Sequence, residues 1–374
     1  MLDGRRSSKK GTPLISVLDG RRGGFGARVR ANPHMSDALL TASGTRLEMA
    51  LAPLTSGGLG AAVCGAVAAG NAVLCGGSAL MLVLMDEGTA IELVKQGSGE
   101  RTNDCALSPD GTLAAAACDT HMLVFDACSG ASVAAFHVEA SLLRCALSPC
   151  RQAEARAAAC DASGRVHVWR LRPTAEFILT LPLDACPPAA RCISFVAAAQ
   201  LVITDATGLS VWKTDALDAS PIAREKLWSD GEASVGSYLV SDCGTAPRVL
   251  LSIACLASVW DAWALKRLCE LVPHPSPVRH ACFSRSRSLV CTLCDRDALR
   301  LSDAHSGELL QLVDHQGAQF HLCVGLSDDT NMESTRDGAD EIWVLGLGLL
   351  RGAAEVFAQR VSPLPAIGAS KSRI

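Results

Sequence analysis

Aromatic side chains are scarce in this chain. They make up 4% of 374 residues, with a single tyrosine. A core without them must be filled by Leu, Val, Ala, Ile and Cys, which bury less apolar area per residue. Also missing are a Gly-x-Ser-x-Gly elbow, a phosphate-binding loop and a dinucleotide fingerprint, so the common hydrolase, nucleotide and nicotinamide chemistries have no footing in the sequence. The opening "MLDGRRSSKK" has basic residues but no apolar stretch behind them, unlike a secretory signal. The seventeen cysteines are an odd number in a long chain. They read as reduced thiols of an intracellular protein, cytoplasmic or nuclear.

Metal ligation is equally thin. Cys291-Thr-Leu-Cys294 is the one Cys-x-x-Cys, and a structural zinc needs a second pair. In a strand, residues three apart face opposite sides, so these two read as buried strand cysteines. His121, His137, His274, His280, His315 and His321 fall at spacings that do not match His-x-His or His-x-x-x-His. They read as loop and edge histidines, and neither a metal nor a cofactor is expected.

Charge is close to balanced overall, at −4, but unevenly spread. Residues 1–34 carry a net +6, leaving −10 for the rest. A mildly acidic body excludes a broad nucleic-acid footprint, which needs Lys and Arg gathered on one face. The basic segment repeats "LDGRR" at 2–6 and 18–22. Its "RRGGFGARVR" (21–30) has no strand before it and no helix after it, and so reads as a flexible arm rather than a phosphate cradle. A solvated tail is the first reading; a targeting segment, or an arm for an acidic surface or RNA, are the others. Ala50 to Met85 holds no charged residue and is long enough to span a bilayer. Pro53, Gly57-Gly58, Gly70-Asn71 and Gly76-Gly77 punctuate it, which favours short buried strands over a membrane helix.

What the sequence does have is an internal repeat. "CALSPDG" (105–111) returns as "CALSPCR" (145–151), and "LAAAACDTHMLVFD" (113–126) parallels "ARAAACDASGRVHVWR" (155–170). Weaker copies follow at 192–215, 238–263, 280–312 and 322–346, with one upstream at 65–94. The residue before each first turn is Ala69, Ser108, Ser148, Val196, Ser241, Ser284 and Ser327, in steps of 39 to 48 residues. Seven units of this length, each strand–turn–strand–turn–strand–turn–strand, give the period of a propeller. Helices are excluded by Gly, Asp and Ser clusters every 6–10 residues, although alanine favours them.

"SPDG" (108–111), "VWR" (168–170), "VWK" (211–213), "VWD" (259–261) and "PHPSPVRHACFS" (273–284) resemble WD40 repeats, with His274 and His315 at the family's loop histidine. The resemblance covers about 60–361. It implies an all-β, seven-bladed β-propeller of four-stranded antiparallel blades over 38–362, between a basic tail (1–37) and a C-terminal tail (363–374). It further implies that an N-terminal strand, 45–53, completes the last blade, whose own strands are expected at 319–327, 341–348 and 353–361. In such repeats a turn Asp joins a loop His and a strand Ser. Here the strand Ser is mostly Ala, as at Ala117, so that network is expected to be incomplete.

The implied function is a non-catalytic platform for protein partners in a multi-subunit complex. Its binding rim is expected to include Arg101, Asn103, Asp119, His121, Glu139, Ser141, Ser163, His274, Ser276, Asp295, Arg296 and Gln316. Three rivals are an accessory subunit that positions an RNA-modifying or RNA-processing enzyme through the basic tail, an enzyme with a central-channel site, and a membrane-anchored protein using 50–85.

Overall fold

The computed structural model describes residues 28–30, 46–50, 62–68, 71–76, 79–84, 89–94, 101–149, 154–181, 192–204, 208–215, 221–226, 238–242, 246–284, 288–294, 299–313, 319–327, 342–350 and 353–361. These form seven antiparallel sheets, each a blade read from the inside outwards. The inner strands of blades 1 to 7 are Ala62–Ala68, Thr102–Leu107, Leu142–Leu147, Cys192–Ala197, Tyr238–Asp242, Val278–Phe283 and Gln319–Ser327. Each inner strand touches the next, and Gln319–Ser327 touches Ala62–Ala68, so the ring closes. The uncharged stretch within 50–85 supplies the first three strands of blade 1. No helix among the described residues is long and apolar enough to cross a membrane.

Blade 7 is built from Gln319–Ser327, Ile342–Leu350 and Ala353–Val361, with Arg46–Ala50 as its outermost strand. That strand runs antiparallel to its neighbour, from Arg46 opposite Gln359 to Ala50 opposite Glu355. The segment 1–37 differs from the tail reading at one place. Arg28–Arg30 is a short strand on the outer edge of blade 1. Backbone pairing with a free edge needs no hydrophobic pattern, so the sequence carries no sign of it. The rest of 1–37, the loop 334–341 and the tail 363–374 lie outside the described residues.

The serine landmarks have a physical role. Ser108, Ser148 and Ser284 are buried where the first strand turns into the second. Each donates its N–H to the carbonyl of the first residue beyond the turn: Leu113 (2.9 Å), Arg156 (2.9 Å) and Leu289 (3.0 Å). The serine Oγ accepts that same residue's N–H, at 2.9, 2.8 and 3.1 Å. A hydroxyl therefore replaces one rung of the ladder and lets the chain turn tightly.

The alanine-rich second strands are sandwiched on both faces. In blade 2, Leu113–Cys118 is buried throughout. Ala114, Ala116 and Cys118 pack towards Leu80, Leu82 and Ile91 of blade 1. Leu113, Ala115 and Ala117 pack towards Leu142, Ala157 and Trp169 of blade 3. The strand alternation sends neighbouring side chains to opposite faces, and here both faces are core. In blades 2 to 5 an aromatic residue near the end of the third strand fills the wider gap further out. Phe125, Trp169, Trp212 and Trp260 all pack towards the preceding blade, and Trp169 stacks on Phe136 with ring centroids 5.1 Å apart.

In blades 2, 5 and 6 the turn after the third strand is fastened by aspartate. Asp126, Asp261 and Asp303 each accept two successive backbone N–H groups through Oδ1, at 2.7–3.1 Å. Burial pushes the Asp126 and Asp303 carboxyls up. The N–H and hydroxyl bonds from Ser129 and Cys128, and from Ser306 and His305, outweigh it and hold both below the ordinary carboxylate range. Four residues on, the chain is left-handed at Gly130, Leu265 and Gly307. At Gly307 (φ 78°) an added Cβ would stand 2.2 Å from the Glu270 carbonyl oxygen of blade 5.

Two outcomes are expected. Ser108→Ala leaves the buried Leu113 N–H without its acceptor and should cost about 1–3 kcal/mol in denaturant unfolding. Gly307→Ala combines left-handed strain with a clash against backbone and should cost about 2–4 kcal/mol by the same measurement. Gly130→Ala should cost less, because the obstacle there is a side-chain methyl of Ile91 at 2.8 Å.

Candidate functional site

In a four-stranded antiparallel blade, the loop leading into the first strand and the turn between the second and third strands lie at the same end. All nine expected rim residues within the described chain fall at this end. Asp295, Arg296 and Gln316 lie outside the described residues.

The seam between blades 2 and 3 is the most completely built part. Cys118 pairs with His121, so Asp119 and Thr120 alone make the turn between them. Asp119 sits at φ 41°, a left-handed conformation that aspartate tolerates better than most residues. Its N–H donates to the Arg101 carbonyl at 2.9 Å, and its Oδ2 accepts the Arg101 N–H at 2.9 Å. Its own carbonyl accepts the N–H of Leu142, the first residue of blade 3's inner strand. Asn103 is the extra residue of a bulge in blade 2's inner strand. Bulges re-aim side chains. Asn103 Nδ2 donates to the Leu142 carbonyl at 2.7 Å and reaches Ser141 Oγ at 3.5 Å. One residue on, Asp104 Oδ2 accepts the Cys145 N–H at 2.9 Å. Arg101, Asn103, Asp119 and Ser141 are thus brought together, and the blade-to-blade contact is polar as well as apolar.

Beside this seam, His121 faces His137 across the blade 2 strands, with ring centroids 4.9 Å apart at 66°. Glu139 is exposed two residues further on. In blade 3, Asp161 closes the turn. Its Oδ1 accepts the Ser163 N–H (2.9 Å), the Ser163 hydroxyl (2.6 Å) and the Arg165 N–H (3.0 Å). Its Oδ2 accepts Arg165 Nε at 3.1 Å and His167 Nε2 at 2.8 Å. His167 Nδ1 lies 3.1 Å from Thr180 Oγ1. With Nε2–H donating to the carboxylate, Nδ1 of the neutral ring accepts the threonine hydroxyl.

Burial pushes the Asp161 carboxyl up, but the bonds from Ser163, His167 and Arg165 outweigh it and hold it below the ordinary carboxylate range. Burial pushes His167 down, and the Asp161 partner only partly restores it.

His274 and Ser276 sit at this end in blade 6 but are buried, so neither presents a surface to a partner. His274 Nε2 lies 2.8 Å from Thr292 Oγ1, and its N–H donates to the Cys255 carbonyl of blade 5 at 2.9 Å. A histidine-to-strand-hydroxyl link therefore exists in this blade. In blade 2, by contrast, the turn aspartate is held by backbone.

Sequence reasoning missed Asp104, Arg165 and His167. Pattern alone does not reach them: the bond from His167 to Asp161 depends on the register of the hairpin, in which His167 stands opposite Ala159. The eleven cysteines with described side chains are free thiols. Among the described residues, no group of three or more His, Cys, Asp or Glu could hold a metal ion. With its acceptors taken up by donors, Asp161 orders a turn. Arg101, Glu139, Ser163 and Arg165 are exposed at this end.

No family model matches this chain, and no curated protein matches it. Solved structures do. The β-propeller domain of Myceliophteria thermophila Cps50 (Swd1) matches at 14% identity and TM-score 0.60, over 83% of this chain and all of that one. A chain of a Mitotic Checkpoint Complex matches at 11% identity and TM-score 0.59, over 83% of this chain and 94% of that one. The computationally designed Ika8 protein matches at 16% identity and TM-score 0.53, over 80% and 83%.

Acid sensitivity follows from the Asp161–His167 pair. Both groups titrate lower in the fold than in the unfolded chain, so the unfolded chain binds protons more tightly. Stability should fall on acidification, first as pH drops through 6.5, then further below 3.8, the ordinary His and Asp values. Denaturant midpoints at pH 7.5 and 5 should show the first loss, and His167→Gln should shrink the difference. With its ring of seven sheets, its serine-closed hairpins and its structural neighbours, the chain has the fold of a seven-bladed β-propeller built from repeats that resemble those of the WD40 family.

Proposed function

We propose that this protein is a non-catalytic interaction scaffold that presents the rim of blades 2 and 3 to protein partners in a complex. The observation that carries this reading is the construction of that rim. Arg101, Asn103, Asp104, Asp119 and Asp161 spend their hydrogen bonds on fixing loops and on tying adjacent blades together. Arg101, Glu139, Ser163 and Arg165 meanwhile stand exposed on the same end. A surface whose backbone is already ordered loses little entropy on binding. Charged groups of both signs on it favour selection among partners. The match to a chain of a Mitotic Checkpoint Complex fits this reading, since that chain was solved within a complex.

The test compares three chains by affinity purification with mass spectrometry: the intact protein, a rim variant (Glu139→Lys with Arg101→Ala), and a chain lacking residues 1–34. Both rim positions are exposed, and Arg101 holds Asp119 through its backbone, so the variant should keep its unfolding midpoint. Partners recovered with the intact chain should fall about tenfold or more with the rim variant, the equivalent of about 1.4 kcal/mol of binding. Equal recovery with the rim variant would overturn the assignment to this face. Salt-sensitive RNA recovery that vanishes without residues 1–34 would instead support the RNA-accessory reading.

A further inference from the structure

The outermost strand of a propeller blade is an open sheet edge, able to accept another strand. In blades 2 to 6 that strand carries an extra residue opposite the last positions of the third strand: Val133, Ile178, Ile222, Leu268 and Leu310. Each lies in the first part of its strand. A bulge there twists the edge and spoils it as a template. Blade 1 differs. Its outermost strand, Thr89–Val94, has its irregularity at Leu93, near the far end. Thr89, Ala90 and Ile91 are left as a regular run. These are the residues that Arg28–Arg30 pairs with, antiparallel: Arg28 opposite Ile91, Val29 opposite Ala90, Arg30 opposite Thr89.

The position of this pairing in the chain matters as much as its register. Only fifteen residues separate Arg30 from Arg46, where the outermost strand of blade 7 begins. Blades 7 and 1 meet at the seam where the ring closes. One continuous stretch of chain therefore lays a strand on the outside of each blade flanking that seam.

We propose that the outer edge of blade 1 is a strand-acceptor site, filled in cis by Arg28–Arg30, and that this strap and Arg46–Ala50 together form a double clasp across the closing seam. Three facing residues supply only a few backbone hydrogen bonds, at about 1 kcal/mol net each. A free peptide of that length would not stay bound. A short tether to the closing strand raises its effective concentration to about millimolar, which makes so small a pairing usable. Among blades 1 to 6, the strap occupies the one outer strand whose first three residues are free of a bulge.

Amide hydrogen exchange read by mass spectrometry tests this on four chains: the full chain, one starting at residue 24, one starting at residue 32, and the full chain carrying Arg28→Pro, Val29→Pro and Arg30→Pro, which removes all three N–H groups. The amides of Thr89–Ile91 should exchange several-fold faster in the last two and as in the full chain in the second. Those of Arg46–Ala50 and Ala353–Val361 should stay as they are in all four. Equal exchange at Thr89–Ile91 in the full chain and the chain starting at residue 32 would overturn the proposal. So would equal acceleration of the blade 7 amides, which would make residues 28–30 a support of the closing strand rather than a clasp on blade 1.

Discussion

Blades arranged around a ring stand close together near the axis and apart at the outside, and the space between any two is a wedge. Nearly everything else in this molecule follows from filling that wedge. In blades 2 and 3 the second strands, covered on both faces, carry mostly small side chains and read Leu-Ala-Ala-Ala-Ala-Cys and Arg-Ala-Ala-Ala-Cys-Asp, whereas those of blades 4 and 5 bury Leu, Val and Ile. Further out the gap takes a ring in blades 2 to 5, where Phe125, Trp169, Trp212 and Trp260 each meet the blade before.

Small side chains contribute little burial each, so polar fastening matters more than it would in a core of Leu and Phe. Serine hydroxyls close the inner hairpins, aspartates close the outer turns, and Asn103 and Asp104 reach from one blade to the next. Arg156 shows how far this goes. It is buried between blades 3 and 4, where its guanidinium donates to Thr214 at 2.7 Å and to Glu154 at 2.9 Å. A buried charge is retained only with such partners. Rim rigidity and fold stability therefore draw on the same bonds.

Much of this was legible in the sequence because repetition amplifies weak signals. Ser108, Ser148 and Ser284 mark hairpins individually too faint to identify, and the spacing of all seven landmarks, from Ala69 to Ser327, set the blade number. The closing strand was legible because the last unit lacked a partner. The rim residues divided by burial. Glu139 and Ser163 lie exposed, whereas His274 and Ser276 face inward, since a loop position says where a residue is and not which way it points. The Asn103 bulge, the His167–Asp161 bond and the strap at Arg28–Arg30 were not legible. Each depends on register or on backbone pairing, which composition and period do not encode.

The alanine strands have one more consequence. A strand's register is ordinarily held by the contrast between its two faces, since a slip of one residue exchanges them. From Ala114 to Ala117 there is no contrast to lose, because the same methyl group points both ways. The memory of alignment must therefore reside at the strand's ends: in the Ser108 hydroxyl grasping Leu113, and in Thr102 Oγ1 lying 3.3 Å from the Cys118 thiol. The blade is indexed by its hinges rather than by its core.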